Sequence, residues 1–439
     1  MPLRALLILG ISAAACGLAL KKPFWGLCYF ALINYLRPER FSYDYLAPFR
    51  IPFILSLCVL VGWLINYKQI KRPIKYSVTI FALFGLGIIL LIASISAAYD
   101  SAISFNYAIV MVKIGVYCFL MTQLINSEKK LTLFVLLNLA AAGFLALWGI
   151  EQHFRGNPRL EDMAGGQFGE SNSMASLWVL TVPFFLAMAL KGKVKLRLAG
   201  AIMSGALVAG IVFTQSRAGL LGLGVAFFVL FIGVSFRSKI WISLIGIFLY
   251  GIFSLATLST AGYEQRVEQI TVAEQAGGRF EIWKAAIAAF EDYPFLGVGA
   301  QNFQYLAKLY FAKLDLPVFF KERADVHNTP LLFLVEGGIF ALFFYLSAIL
   351  WFFKDLYSLF KASKKDENLK KYRPWFVALG AGMLGFLTCG MVHSYAYYET
   401  FYWFLVIPSI AKNITVREWG SIQKMRVGGK LLRRAPAVL

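Results

Sequence analysis

Charge is what this chain of 439 residues has least of: 15% of its residues are Asp, Glu, Lys or Arg, against 59% hydrophobic. Soluble domains carry about a quarter charged residues, so the balance excludes one and points to an integral membrane protein. Histidine occurs only three times, and the five cysteines (Cys16, Cys28, Cys58, Cys118, Cys389) each fall inside an apolar run. An odd number of dispersed cysteines at lipid depth gives neither a disulfide framework nor metal-ligand spacing, and reads as small packing residues. Acidic side chains are scarce as well, 23 against 43 Lys and Arg, for a net charge of +20.

Apolar runs long enough to cross a bilayer recur at 51–67, 77–98, 103–125, 131–150, 174–190, 198–213, 219–236, 240–257, 329–353, 374–392 and 395–411, after two shorter ones at 5–20 and 23–36. With no water in the bilayer core the backbone must satisfy its own polar groups, and runs of this length without strict alternation predict helices rather than barrel strands. Basic residues gather in alternate connections: Lys21 and Lys22, 68–75, 128–130, 191–197, 237–239, 354–373 and the tail after Lys412. Under the positive-inside rule these face the cytoplasm. The basic surplus therefore reports orientation and contact with anionic membrane lipid, and no nucleic-acid partner is expected. The connections 37–50, 99–102, 151–173, 214–218, 259–328 and 393–394 then lie outside.

The expected fold is all-α, a polytopic integral membrane protein of about 12–13 transmembrane helices with one large external helical loop. Residues 1–258 form a first set of membrane helices, 259–328 the external loop, 329–411 a second set, and 412–439 a basic cytoplasmic tail. The count turns on the start: a full crossing by 5–20 puts Met1 outside, whereas Arg4 favours the inside. A signal peptide ending near SAAAC (12–16), with Cys16 lipidated, is a rival reading of the same residues.

Within the long loop, 263–276 predicts a polar helix, the pair Gly277–Gly278 breaks it, and 279–293 predicts an amphipathic helix with Phe280, Trp283, Ile287 and Phe290 at helical spacing. Pro294 ends that helix, and 301–313 predicts a third, lying along the interface. The glycines of GLLGLG (219–224) and GAGMLG (380–385) predict tight helix contacts. The run YAYYETFYW (395–403) reads as an interfacial aromatic belt. Lys113, alone in the middle of a span, either pairs inside the bundle or snorkels.

Candidate chemistry collects on the external face. Arg217 ends a connection in TQSRAG, Arg279 starts a helix in GGRFEIW, and His327 stands with Asn328 in ADVHN just before a span. Each has a bland alternative: Arg217 snorkels to the headgroups, Arg279 pairs with Glu281 or Glu322, and His327 caps its helix or pairs with Asp325. Their joint occurrence on three loops of one face is what suggests a site. His153, beside Arg155, and His393 are weaker external candidates. Glu322, Asp325 and His327 are close in sequence, but with no second His nearby and no recognised ligand spacing they do not make a metal site.

These stretches, in the order TQSRAG, GGRFEIWKAAIAAFEDYPFLGVGAQNF and HNTPLLFLVEGGIFALFFYL, resemble the O-antigen ligase and O-antigen polymerase superfamily of bacterial envelope enzymes. The matching positions are Arg217, with Ala218 where the family has Gly; Arg279 and Trp283 of an R-x-x-x-W helix; Pro294, Gly297 and Gly299; and His327, Asn328, Glu336 and Gly338. GGQFGESNSMASLWVLTVP (165–183) is similar to the family's external G-x-F stretch and supplies Asn172, and the opening residues are similar to ligases found with exosortase systems. The resemblance covers 165–350.

The resemblance implies a GT-C-like membrane fold. It implies transfer of a glycan from an undecaprenyl-pyrophosphate-linked donor to a hydroxyl of a glycan, lipid A-core or protein acceptor, at the periplasmic face of the bacterial inner membrane, with no metal or other cofactor. His327 is then the general base, Arg217 and Arg279 clamp the pyrophosphate, Asn328 orients the His or a sugar, Trp283 walls the site, and Asn172 belongs to the substrate-binding group. The residue types suit that chemistry. A pyrophosphate leaving group needs fixed cations more than a strong acid, and the arginine fork offers paired charge-assisted bonds at any relevant pH. A sugar hydroxyl needs a base that is neutral near pH 7. No paired carboxylates of the retaining kind are suggested, so a single inverting displacement is the simplest outcome.

Ligase activity is expected, with the alternative that the chain is a polymerase extending the lipid-linked glycan itself. A lipid-glycan transporter would place charged or broken-helix residues near the midplane, where only Lys113 stands. A scaffold would have no use for Arg and His converging from three loops.

Overall fold

A computed structural model describes residues 2–37, 45–70, 77–163, 165–233, 240, 274–318 and 323–427. Among these residues the regular structure is helical, with no strand beyond one isolated bridge between Gly165 and Phe168. The span expected at 240–257, most of the helix expected at 263–276, Glu322 and the end of the basic tail lie outside the described residues.

The helices follow the apolar runs closely. α1 (Leu3–Lys21) and α2 (Pro23–Leu36) form a hairpin, with Pro23 preorganised in the first turn of the second helix, and α3 (Ile51–Ile65) packs on both. Next come α4 (Val78–Ser96), α5 (Ser101–Leu124), α6 (Glu128–Phe154), α7 (Ser171–Lys191), α8 (Val194–Phe213) and α9 (Arg217–Gly233). Ser77, Asp100 and Ser127 start α4, α5 and α6 with side-chain caps on Ile80, Ile103 and Lys130. Outside the bundle stand α10 (Glu274–Asp292) and α11 (Phe303–Lys313), and the chain returns through α12 (Thr329–Lys365), α13 (Arg373–Gly390) and α14 (Glu399–Val427).

Seven of the described helices, α1, α4, α5, α6, α7, α8 and α12, are long and apolar enough to cross a bilayer. α3 and α9 are apolar but only 15 and 17 residues long. At 1.5 Å per residue they span about 23–26 Å, short of the ~30 Å hydrocarbon core.

α7 is the centre, with every residue from Met174 to Leu180 fully buried. α9 and α13 pack on it through glycine. A side chain at Gly385 would meet Gly222 O at 2.7 Å, and one at Gly222 would meet Gly385 O at 2.6 Å. The two glycine runs singled out in the sequence thus lie against each other, where close backbone approach gains dispersion that lipid cannot match.

Three expectations fail in instructive ways. The aromatic run is not a lipid-facing belt: Tyr395, Tyr398, Phe401, Tyr402 and Trp403 are all buried. Their hydroxyls find partners inside, Tyr398 on Ser173 O at 2.8 Å and Tyr402 on Ala396 O at 2.6 Å, and Phe401 stacks on Phe386. Gly277 and Gly278 do not break the external helix, because α10 runs through them. Each glycine costs about 1 kcal/mol in a helix, less than the packing of the residues that follow supplies. The buried face of α10 is the small one, Ile282, Ala285, Ala286 and Ala289, whereas Phe280 and Ile287 are exposed. Lys113 lies on the outer surface of α5, with its ammonium 5.8 Å from the Phe53 ring centroid.

The pair α10–α11 is anchored by a break in α12. Gly338 has φ +66° and ψ −168°, a conformation essentially confined to glycine, and it interrupts α12. The break frees carbonyls that the turn 294–299 takes up: Val298 N donates to Val335 O and Gly299 N to Glu336 O, both at 2.9 Å, while Ile339 N donates to Pro294 O at 2.9 Å. Gly297, at φ +66°, faces Val335 O in space no side chain can enter. The buried Glu336 carboxyl holds the backbone amides of Gln301 and Phe303 at the start of α11. The P-x-x-G-x-G and E-x-G patterns are therefore the two sides of one backbone joint.

Candidate active site

The outer ends of several membrane helices meet α10 around the segment 324–328. Ala324, Val326 and Asn328 are buried there, while Asp325 and His327 between them are partly exposed. Asn328 caps α12, its Oδ1 accepting from Leu331 N at 3.0 Å, and its Nδ2 donates to Met391 O at 3.0 Å. Its side chain is thereby committed to fixing the backbone next to His327. His327 itself has φ +50°, a left-handed conformation that costs a residue of this kind about 1–3 kcal/mol and persists only where neighbours enforce it. The cap enforces it from one side. From the other, the Trp283 indole Nε1 donates to Val326 O at 2.9 Å. Trp283 thus braces the histidine segment from α10.

Two further loops close the ring. Ser216 Oγ donates to Asn172 Oδ1 at 2.7 Å, tying the start of α7 to the turn before Arg217. The hydroxyl of Tyr395 donates to Asn172 O at 3.0 Å. Tyr395 N donates to Thr329 Oγ1, and Thr329 Oγ1 to His393 O, each at 2.9 Å. Ser394 Oγ donates to Asp325 Oδ1 at 3.1 Å. Cys389 Sγ meets Ala218 O at 3.2 Å, next to Arg217. Residues scattered from 170 to 395 are in this way held as one unit.

At its rim stand the charged groups. Arg217 opens α9, whereas Arg279 lies in the second turn of α10 rather than at its start as expected; both are exposed, and they are near enough that the charge of Arg217, after partial burial, lowers the pKa of Arg279. His327 Nδ1 lies 3.4 Å from Asp325 Oδ2, and its ring stacks on His393 with centroids 5.5 Å apart and planes 25° from parallel. Burial pushes the pKa of His327 below its ordinary value, His393 and Arg279 push the same way, and Asp325 and Glu170 oppose them. The ring is therefore neutral near pH 7. His393 Nε2 is 3.0 Å from Glu170 Oε2. That bond, with the charges of both imidazoles, holds the Glu170 carboxyl below the usual range against the effect of burial.

The structure thus brings Arg217, Arg279 and His327 to one place, with Trp283, Asn328 and Asn172 in the framework behind them. His153 stacks on Phe213, with ring centroids 3.9 Å apart. Glu170 went unread in the sequence, since nothing there links it to His393, 223 positions away. Among the described residues no three His, Cys, Asp or Glu side chains are grouped to hold a metal ion. Two cavities of about 400 and 390 Å³ lie at the opposite, lysine-rich end of the bundle, against Lys371 and against Lys21, Lys22 and Lys130.

Residues 202–346 match a family model described as O-antigen ligase, and residues 3–189 match a family of unknown function. The chain is 23% identical over 396 residues to the teichuronic acid biosynthesis protein TuaE of Bacillus subtilis (strain 168), covering 84% of this chain and 79% of that protein. The ligase match spans Arg217, Arg279 and His327 together with both sides of the backbone joint. That match, the motifs inside it and the relative support a place for this multi-pass membrane protein among the O-antigen ligase and polymerase superfamily of envelope glycan enzymes.

Proposed function

We propose that the chain transfers a glycan from undecaprenyl pyrophosphate to an acceptor hydroxyl, at the periplasmic face of the inner membrane, as a ligase. The observation that carries the reading is the meeting of two guanidinium groups and a neutral imidazole at the outer ends of the helices. There the donor's polyprenyl tail lies in the bilayer while its phosphates and sugars emerge beside Arg217 and Arg279. The acceptor oxygen attacks the anomeric carbon, its proton passes to His327, and the bond from the anomeric carbon to the phosphate oxygen breaks. The electron pair stays on the undecaprenyl pyrophosphate, whose growing charge the arginines offset. One displacement inverts the anomeric centre. The guanidinium groups supply the positive charge, so the reading needs no metal, and chelation with EDTA is expected to leave the rate unchanged.

A second reading has the same site extend the lipid-linked glycan; the relative's name, which speaks of biosynthesis, is compatible with it. The test supplies purified protein with an undecaprenyl-pyrophosphate oligosaccharide, with and without candidate acceptors. A single mass increment on the acceptor supports ligation, and a ladder of lengthening products supports polymerisation. No consumption of donor under any acceptor ends both.

A further inference from the structure

His327 is only loosely held by its own carboxylate. The 3.4 Å separation from Asp325 Oδ2 lacks hydrogen-bond geometry, and Asp325 is also engaged through Oδ1 by Ser394. What faces the ring instead is a second imidazole fixed on every side. His393 is buried, its carbonyl is locked to Thr329, its ring lies 4.8 Å from that of Tyr395, and its Nε2 meets Glu170 at 3.0 Å. A carboxylate partner at Nε2 places the proton there and fixes the tautomer. Glu170, from the approach to α7, and His393, between α13 and α14, thus reach His327 from two elements other than its own.

We propose that Glu170 and His393 form a positioning pair for His327: Glu170 orients His393, and the stacked ring of His393 sets the plane in which His327 meets the acceptor hydroxyl. This rests on His327 being the base of the transfer. Such positioning matters because displacing a reacting group by about 1 Å can cost on the order of 10²-fold in rate. The pair also sets the charge His327 experiences. The groups facing it are Asp325 on its own segment, His393, Glu170, and Arg279 on α10, with Arg217 behind Arg279. Taking away His393 removes a neighbour that disfavours the imidazolium, and taking away the Glu170 charge removes one that favours it. The two changes move the titration of His327 in opposite directions, which an inert clasp between loops would not do.

The experiment uses the full-length protein in lipid nanodiscs with isotopically labelled histidine. Three histidines make each ring assignable by single substitution. His393→Phe keeps an aromatic stack and is expected to raise the pKa of His327, whereas Glu170→Gln is expected to lower it. In the transfer assay His393→Ala is expected to reduce kcat roughly 10- to 100-fold with the KM for donor unchanged. His393→Phe is expected to recover most of kcat while its acid limb moves to higher pH. Titrations of His327 that do not move in either folded variant overturn the proposal, as does a kcat unchanged in His393→Ala. Titrations that move as expected in a protein that consumes no donor leave the pair standing and remove the transfer reading.

Discussion

At the scale of single residues, scarcity is what made the site readable. His327 stood out as one of only three histidines, and Arg217 and Arg279 because each belongs to a motif on another loop expected on the same face; the structure sets the three near one another. What sequence could not show was the environment each finds there. Burial first, then His393 and Arg279, lowers the pKa of His327. A base works only when unprotonated, so a lowered pKa extends its working range toward acid. The transfer rate should hold from pH 8 down past the ordinary imidazole value of ~6.5 and fall only below it. Removing the charge in Arg279→Gln should shift that acid limb upward and lower the rate about 10²- to 10³-fold. His327→Ala should cost about 10²- to 10⁴-fold, with the protein still present in the membrane. These outcomes are read from pH–rate profiles on purified donor, with folded protein quantified by size-exclusion chromatography.

At the scale of elements, periodicity located the helices but misjudged some of their faces and breaks. The aromatic run 395–403 has the composition of a headgroup belt, and only its partners on Ser173, Ala396 and Phe386 turn it inward. The glycine pair 277–278 has the composition of a break, yet helix α10 continues across it. The true break, at Gly338, looked in sequence like the interior of a span. Its left-handed backbone and the turn 294–299 that fills it make a sharp test. Gly338→Ala should destabilise the protein by at least about 1–3 kcal/mol from backbone conformation alone, with more from collision with Phe295. The measurement is a lowered Tm in detergent together with faster proteolysis between α10 and α11. An unchanged cleavage rate would count against the joint.

At the scale of the whole molecule, charge in the connections and apolar run length were sufficient to order the helices, since both follow from bilayer physics rather than from side-chain detail. The arrangement of those helices around α7 was not fully legible, because α13, which packs on α7 beside its chain neighbours α8 and α9, comes from about 200 positions further along the chain. The orientation is testable with single cysteines in a background where the five native ones are replaced. A cysteine at the exposed Asp315 should react with a membrane-impermeant maleimide from outside, and one at the exposed Lys371 should react only after the membrane is opened. The reverse pattern would invert the molecule and place the arginines in the cytoplasm.

The touching backbones at Gly222 and Gly385 carry a mechanical implication. α9 begins with Arg217, and α13 runs out to the loop that holds His393, so the separation of the two helices at this crossing bears on the separation of those two side chains. A lone methyl group there, as in Gly385→Ala, would meet Gly222 O at 2.7 Å, and is expected to push the helices apart and shift Arg217 relative to His393 with neither side chain changed.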